Sequence, residues 1–131
     1  MKYLVALTLV IISACGKATP QKNNEIAEGT TLFSVGSSGT TFQINGLDNP
    51  TFSLKRGLTY TFNVIAYGHP FYIMTVPSHD PTDAYPHGVV NQGVVNGTLY
   101  FTVPITAPNI LYYESSATTD SDFGGAFQIT D

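Results

Sequence analysis

The sequence of 131 residues contains few of the residue types on which many protein chemistries depend. It has one Cys, no Trp, three His and only five Lys and Arg residues against nine Asp and Glu, which gives a net charge of -4. A single Cys excludes an intrachain disulfide, and so few cations cannot form a basic surface for nucleic acid. We therefore expect no nucleic-acid partner and one domain whose core needs no disulfide.

The sequence also lacks the familiar motifs of catalysis. The segment "VGSSGT" (35–40) does not have the spacing of a G-x-S-x-G nucleophile elbow. No Gly-rich loop lies between a strand and a helix pattern to hold a nucleotide phosphate, and the carboxylates show no pairing that indicates glycoside hydrolysis. We therefore predict that the protein is not an enzyme, and an enzyme of unknown reaction is the least supported alternative.

The N-terminus has the pattern of a bacterial export signal. Lys2 precedes the apolar run "YLVALTLVII" (3–12), which is too short to span a bilayer as a helix, and "ISAC" (12–15) resembles the lipobox. These features predict a lipoprotein signal peptide over residues 1–14 and lipidation of Cys15. The alternative is a buried Cys after an ordinary signal peptide, but the position and uniqueness of Cys15 favour lipidation.

The segment after Cys15 is polar and shows no periodicity, which predicts a flexible tether over residues 15–30. Acyl chains on Cys15 would hold the protein on a membrane through its N-terminus. Gly16 stands where an Asp would favour retention in the inner membrane, so the outer membrane is the favoured location. We expect the domain to lie in the periplasm or at the surface of a bacterial cell envelope.

From residue 31 to residue 131 the chain consists of short runs in which apolar and polar residues alternate. In "LTYTFNV" (58–64), Leu58, Tyr60, Phe62 and Val64 share one face, which is the period of a half-buried strand. About eight such runs, separated by turn residues, predict an all-β domain of two packed sheets. They are residues 31–35, 41–45, 51–54, 58–64, 71–76, 99–103, 110–113 and 126–129.

Three segments, taken in order, resemble a bacterial cupredoxin-like domain. They are "LDNPTFSLKRGLTYTFNVIAYGHPFYIMT" (47–75), "GVVNGTLYFTVPITAPNILYYES" (93–115) and "FGGAFQIT" (123–130). The resemblance implies a Greek-key β-sandwich of the cupredoxin-like type. It also implies a place for a type 1 copper site, which needs a Cys thiolate, two imidazoles and usually a weak thioether.

Most of the ligands of such a site are absent from the places that the resemblance implies. His69 stands at the first His place, but Ser115 stands near the Cys place and Phe123 occupies the place before Gly124 where a Met is often found. No His follows His87. The resemblance therefore implies a retained scaffold without a type 1 centre, and we expect no cofactor, although copper binding stays possible.

The three histidines are the candidate metal ligands. His69 is either a surviving copper or zinc ligand or a residue at the start of a strand, and the second is favoured because one imidazole cannot hold a divalent ion against water. His79 and His87 flank two carboxylates in "HDPTDAYPH" (79–87), within a long irregular segment, Pro77 to Gly97. The loop could form an improvised site with His69, but a solvated loop is favoured because the spacing matches no tight motif.

Asp120 and Asp122 raise the possibility of calcium binding, but no Gly-containing ligand loop accompanies them. Our main prediction is an exported, lipid-anchored binding or structural module without type 1 copper, whose protein or small-molecule partner the sequence does not identify. The alternative is a copper-binding or electron-transfer protein that uses His69, His79 and His87.

Replacing Cys15 by Ser should block lipidation. A Cys15→Ser precursor should keep its signal segment and fail to incorporate labelled fatty acid, because the serine hydroxyl cannot replace the thiol in the modification. Fatty-acid labelling and gel mobility measure both effects, with His87→Ala as a control. Equal labelling of the mutant and the parent would contradict the prediction.

Overall fold

The computed structural model describes residues 25–117 and 122–131, and Cys15, the signal segment and the tether up to residue 24 lie outside them. Ten strands and one short 3-10 helix, Pro81–Asp83, make up the regular structure of the described residues. The strands are β1 Leu32–Ser38, β2 Thr41–Ile44, β3 Leu47–Asp48, β4 Phe52–Lys55, β5 Thr59–Ile65, β6 Phe71–Met74, β7 Val89–Val90, β8 Asn96–Thr102, β9 Ile110–Ser115 and β10 Gly124–Thr130.

The strands form two sheets, which confirms the predicted all-β sandwich. One sheet has four strands in the order β4-β10-β9-β6, and the other has six in the order β3-β2-β1-β5-β8-β7. The pairs β1–β5 and β4–β10 are parallel, and the other pairs are antiparallel. The chain passes from one sheet to the other after β3, β4, β5, β6 and β8, and the four-stranded sheet brings β6, β9 and β10 side by side.

The alternation of apolar and polar residues in β5 buries one face of the strand, as the sequence predicts. Tyr60, Phe62 and Val64 are buried, whereas the residues between them are exposed or half-buried. Leu58, which we expected on the same face, is 43% exposed. It precedes the strand in a turn where Gly57 has a φ of 86°, so the period of two does not yet apply to it.

Aromatic rings from both sheets fill the core. Phe62 stacks on Phe33 with ring centroids 4.8 Å apart, and it also contacts Phe71 and Phe127 at 5.6 and 6.0 Å. Phe62 is fully buried, so it links neighbours in its own sheet to rings of the facing sheet. All members of the core cluster lie between Phe33 and Ile129, so a domain that starts at residue 25 contains the whole cluster.

The long segment that begins at Pro77 is more ordered than an open loop. It contains the 3-10 helix and β7, and it lies along the outer edge of β6. The Tyr85 N–H donates to the Ile73 carbonyl oxygen at 2.8 Å, and the Gln92 amide both donates to and accepts from the backbone of Ile73. The segment therefore covers an edge that would otherwise expose unpaired backbone groups.

At the start of the described chain, Ile26 packs against the core cluster. Within residues 25–117 and 122–131, no helix has the length and apolar character needed to cross a membrane.

Phe62→Ala should destabilise the domain by about 3–5 kcal/mol, because it removes a fully buried ring and leaves a cavity between the sheets. Leu32→Ala, at a side chain that is 57% exposed, is the matched control and should cost less than about 1 kcal/mol. Urea unfolding of both variants measures the difference. A similar loss in the two variants would show that Phe62 does not hold the sheets together.

Candidate functional site

His69 lies in the turn that connects β5 of the six-stranded sheet with β6 of the four-stranded sheet. Gly68 has a φ of 82°, a left-handed conformation that glycine adopts without strain. The His69 N–H donates to the Ala66 carbonyl oxygen at 2.9 Å and closes the turn. Pro70 follows and begins the approach to β6. The turn thus fixes His69 at one end of the sandwich.

Phe123 covers one face of the His69 imidazole. The two rings are nearly parallel, with centroids 4.0 Å apart and an interplanar angle of 11°. Phe123 is fully buried and packs its edge against Phe42 of β2, with a centroid distance of 5.1 Å. His69 is therefore part of an aromatic stack that continues into the core.

Ser115, the last residue of β9, lies beside this stack and is fully buried. Its N–H donates to the Phe123 carbonyl oxygen at 3.3 Å, and its hydroxyl oxygen accepts from the Ala117 N–H at 3.1 Å. The Ser116 N–H donates to the Pro70 carbonyl oxygen at 3.3 Å. The structure thus brings together the positions of His69, Ser115 and Phe123, as the cupredoxin resemblance implies.

Asn49 connects this end of the domain with the turn before β4. It has a φ of 42°, which Asn tolerates better than most residues. Its side-chain oxygen accepts from the N–H groups of Phe42 at 3.0 Å and Gly124 at 3.3 Å. Its amide also donates to the Asp122 carbonyl oxygen. Nothing in the turn sequence "GLDNP" (46–50) predicts this role.

A buried carboxylate lies next to Ser115. Glu114 is only 8% exposed, and burial raises its pKa to about 7, although nearby His79 favours the charged form and opposes the shift. His79 Nδ1 is 4.0 Å from Glu114 Oε1, and it donates its hydrogen to the Ser115 carbonyl oxygen at 2.6 Å. This pair joins the 77–97 segment to β9.

The two glycines of "FGG" make room for the side chains of β9. A Cβ added to Gly124 would collide with the Glu114 carboxylate, and one added to Gly125 would collide with the Tyr113 hydroxyl. The register pairs Glu114 with Gly124 and Tyr113 with Gly125 directly across the strands. The buried position of Glu114 therefore depends on the absence of a side chain at Gly124.

The remaining candidates have separate environments. The His87 ring makes an edge contact with the Tyr85 ring at a centroid distance of 5.6 Å. The Asp80 carboxylate accepts from the Thr82 N–H at 2.9 Å and caps the 3-10 helix, and this hydrogen bond lowers the pKa of Asp80. The Asp83 carbonyl oxygen accepts from the Thr75 N–H. The Asp80 carboxylate, which we considered as a ligand, thus orders the segment itself.

In the described ranges, 25–117 and 122–131, no three His, Cys, Asp or Glu side chains converge in a way that could hold a metal ion. A metal site formed by His69, His79 and His87 stays a prediction that binding experiments must test. Cys15 and Asp120 lie outside the described residues. Lipidation and a calcium site that includes Asp120 therefore also stay predictions from the sequence.

Comparisons with known proteins identify the fold. No model of a known protein family matches the chain, and no curated protein sequence matches it significantly. Among solved structures, rusticyanin from Thiobacillus ferrooxidans is 18% identical, over 88% of this chain and 86% of that one, with a TM-score of 0.56. Reduced auracyanin from Roseiflexus castenholzii is 16% identical, over 78% and 98% of the two chains, with a TM-score of 0.50. The chain therefore has a cupredoxin-like fold.

The buried position of Glu114 should make stability depend on pH. Its pKa is raised from 4.5 to about 7, so between these values the folded state keeps a proton that the unfolded chain releases. The contribution of Glu114 to the free energy of unfolding should therefore be largest below pH 4.5 and should decrease as the pH rises to about 7. Glu114→Gln should remove this decrease.

Urea unfolding of the parent domain and Glu114→Gln between pH 4 and pH 8 measures the effect. His79→Ala is the companion variant, and it should move the midpoint of the decrease to higher pH because it removes the group that favours the ionised carboxylate. A difference between parent and Glu114→Gln that is constant over the whole pH range would refute the assignment.

Proposed function

We propose that the protein is an exported, lipid-anchored cupredoxin-like module with a binding or structural role and without a type 1 copper centre. The observation that carries the proposal is that the Phe123 ring stacks on the His69 ring, with the two ring centroids 4.0 Å apart. It occupies the place where the resemblance implies a weak thioether ligand. A hydrocarbon ring supplies no donor atom to a metal.

The other residues at this position do not fit type 1 copper either. Such a site requires a thiolate, and the only Cys of the chain is Cys15, far from the domain in sequence. The Ser115 hydroxyl is a hard, protonated oxygen, and it already accepts the Ala117 N–H. One of the rusticyanin structures is described as that of a copper protein, but the donors of this chain do not support the same chemistry.

The proposed location follows from the N-terminal sequence. The apolar run, "ISAC" and the polar segment after Cys15 support export, lipidation and a tether, and Gly16 favours the outer membrane. A non-enzymatic role is supported by the lack of catalytic motifs. The membrane is thus the proposed first partner, through the lipid, and the net charge of -4 argues against nucleic acid.

A copper titration of the domain from residue 25 should yield no blue centre. The intense visible band of type 1 copper requires charge transfer from a Cys thiolate, and this domain contains no Cys. Any bound Cu(II) should give the electron paramagnetic resonance spectrum of a tetragonal site with imidazole and carboxylate ligands. Binding should be micromolar or weaker, because ordering a shared site costs roughly 1–2 kcal/mol per residue that becomes fixed.

Calorimetry and electron paramagnetic resonance of His69→Ala, His79→Ala and His87→Ala complete the test. Weak binding that survives each substitution would support the proposal. Tight, stoichiometric binding that is lost in all three variants would overturn it and would favour the copper-binding or electron-transfer alternative.

A further inference from the structure

The outward face of the six-stranded sheet carries no charged side chain over its four adjoining strands β1, β5, β8 and β7. All residues of these strands are described, and their burial patterns show which side chains point away from the core. Exposed surfaces normally contain many Lys, Glu, Asp and Arg residues. The outward positions here are Leu32, Ser34, Gly36, Ser38, Thr59, Thr61, Asn63, Ile65, Asn96, Thr98, Tyr100, Thr102 and Val90.

A depression of about 410 Å³ lies on this face. Gly36 opens it, because this position shares the outward face of β1 with Ser34 but has no side chain. The rim is polar and uncharged: Asn63, Asn96 and Thr98 contribute amides and a hydroxyl, and Asn63 Oδ1 accepts from the Thr98 hydroxyl at 3.0 Å. The depression is open to solvent, so a ligand would lie along the surface of the sheet.

Next to the depression, an aromatic ring is exposed on the sheet. Tyr100 is 46% exposed and lies two residues along β8 from Thr98, which places them about 7 Å apart on the same face. Strand register aligns Tyr100 with Thr61 on one side and Val90 on the other. The face thus presents an aromatic platform beside amides and hydroxyls.

We propose that this face binds a neutral oligosaccharide. The apolar C–H faces of sugar rings pack on aromatic rings, and sugar hydroxyls pair with amides and hydroxyls, which are the two kinds of group that Tyr100 and the rim supply. These four strands provide no cation to balance a phosphate or a polyanion and no carboxylate to balance a basic peptide. The carboxylate of Asp48 lies at the far edge of the sheet, on β3, where the Thr41 hydroxyl and the Gln43 amide donate to it. The charge of the face therefore matches an uncharged ligand.

This inference rests on the proposed role as a binding module, but its test does not involve copper. The domain from residue 25 is titrated with neutral hexasaccharides of N-acetylglucosamine and of glucose, and heparin serves as the polyanionic comparison. Backbone amide shifts map the contact and calorimetry measures Kd. We expect shifts confined to β1, β5 and β8 with one of the neutral hexasaccharides, and none on this face with heparin.

Two variants and one control test the site itself. Tyr100→Ala should weaken binding at least about tenfold, since it removes the platform. Gly36→Val should do the same by filling the depression; a Cβ there meets only the Ile65 carbonyl oxygen, at 3.8 Å, so the fold should be retained. Tyr67→Ala removes a tyrosine that is 66% exposed elsewhere and should change nothing.

The inference would be overturned by the absence of shifts at about 10 mM hexasaccharide, where a Kd of 1 mM would give near saturation. Binding that persists in both Tyr100→Ala and Gly36→Val, or equal binding of heparin on this face, would also overturn it. Each of these results would leave the copper proposal untouched, because that proposal depends on His69, Ser115 and Phe123 at the end of the sandwich.

Discussion

Edge-to-face packing of Phe42 connects the core of the domain with the end where His69 lies. The Phe42 ring meets Phe71 and Phe123 at centroid distances of 5.1 Å each, with interplanar angles of 84° and 89°. Phe71 belongs to the aromatic core between the sheets, and Phe123 covers His69. The position of His69 therefore depends on the same rings that hold the sheets together.

This dependence explains how His69 and Ser115 are accommodated at this end of the sandwich. A half-buried imidazole and a buried serine need packing and hydrogen bonds to offset the cost of leaving water. Phe123 supplies the packing through its ring and accepts the Ser115 N–H through its carbonyl oxygen. Asn49 holds the residues on both sides of Phe123 through the Asp122 carbonyl oxygen and the Gly124 N–H. Packing and backbone hydrogen bonds thus hold His69, Ser115 and Phe123 together at this end of the sandwich.

Local patterns in the sequence predicted the strands but only part of the site. The alternation of Tyr60, Phe62 and Val64 directly encodes one buried face, because a strand has a fixed period of two. The likeness of the last segments placed Ser115 and Phe123 near His69 correctly.

The pairing of Glu114 with His79 could not be predicted from the sequence, because the two residues are brought together by a segment that crosses the edge of β6. Asn49 was missed because the sequence of a turn does not specify which distant strand its side chain reaches. Leu58 was misplaced because the alternation was extended beyond the start of β5.

Anomalous diffraction at the copper absorption edge, from crystals of the domain grown with excess Cu(II), tests the central claim most directly. We predict that the Phe123 ring will remain stacked on His69 and that no anomalous peak will lie between His69 and Ser115. A copper peak bonded to the His69 imidazole, with the Phe123 ring displaced, would contradict the account.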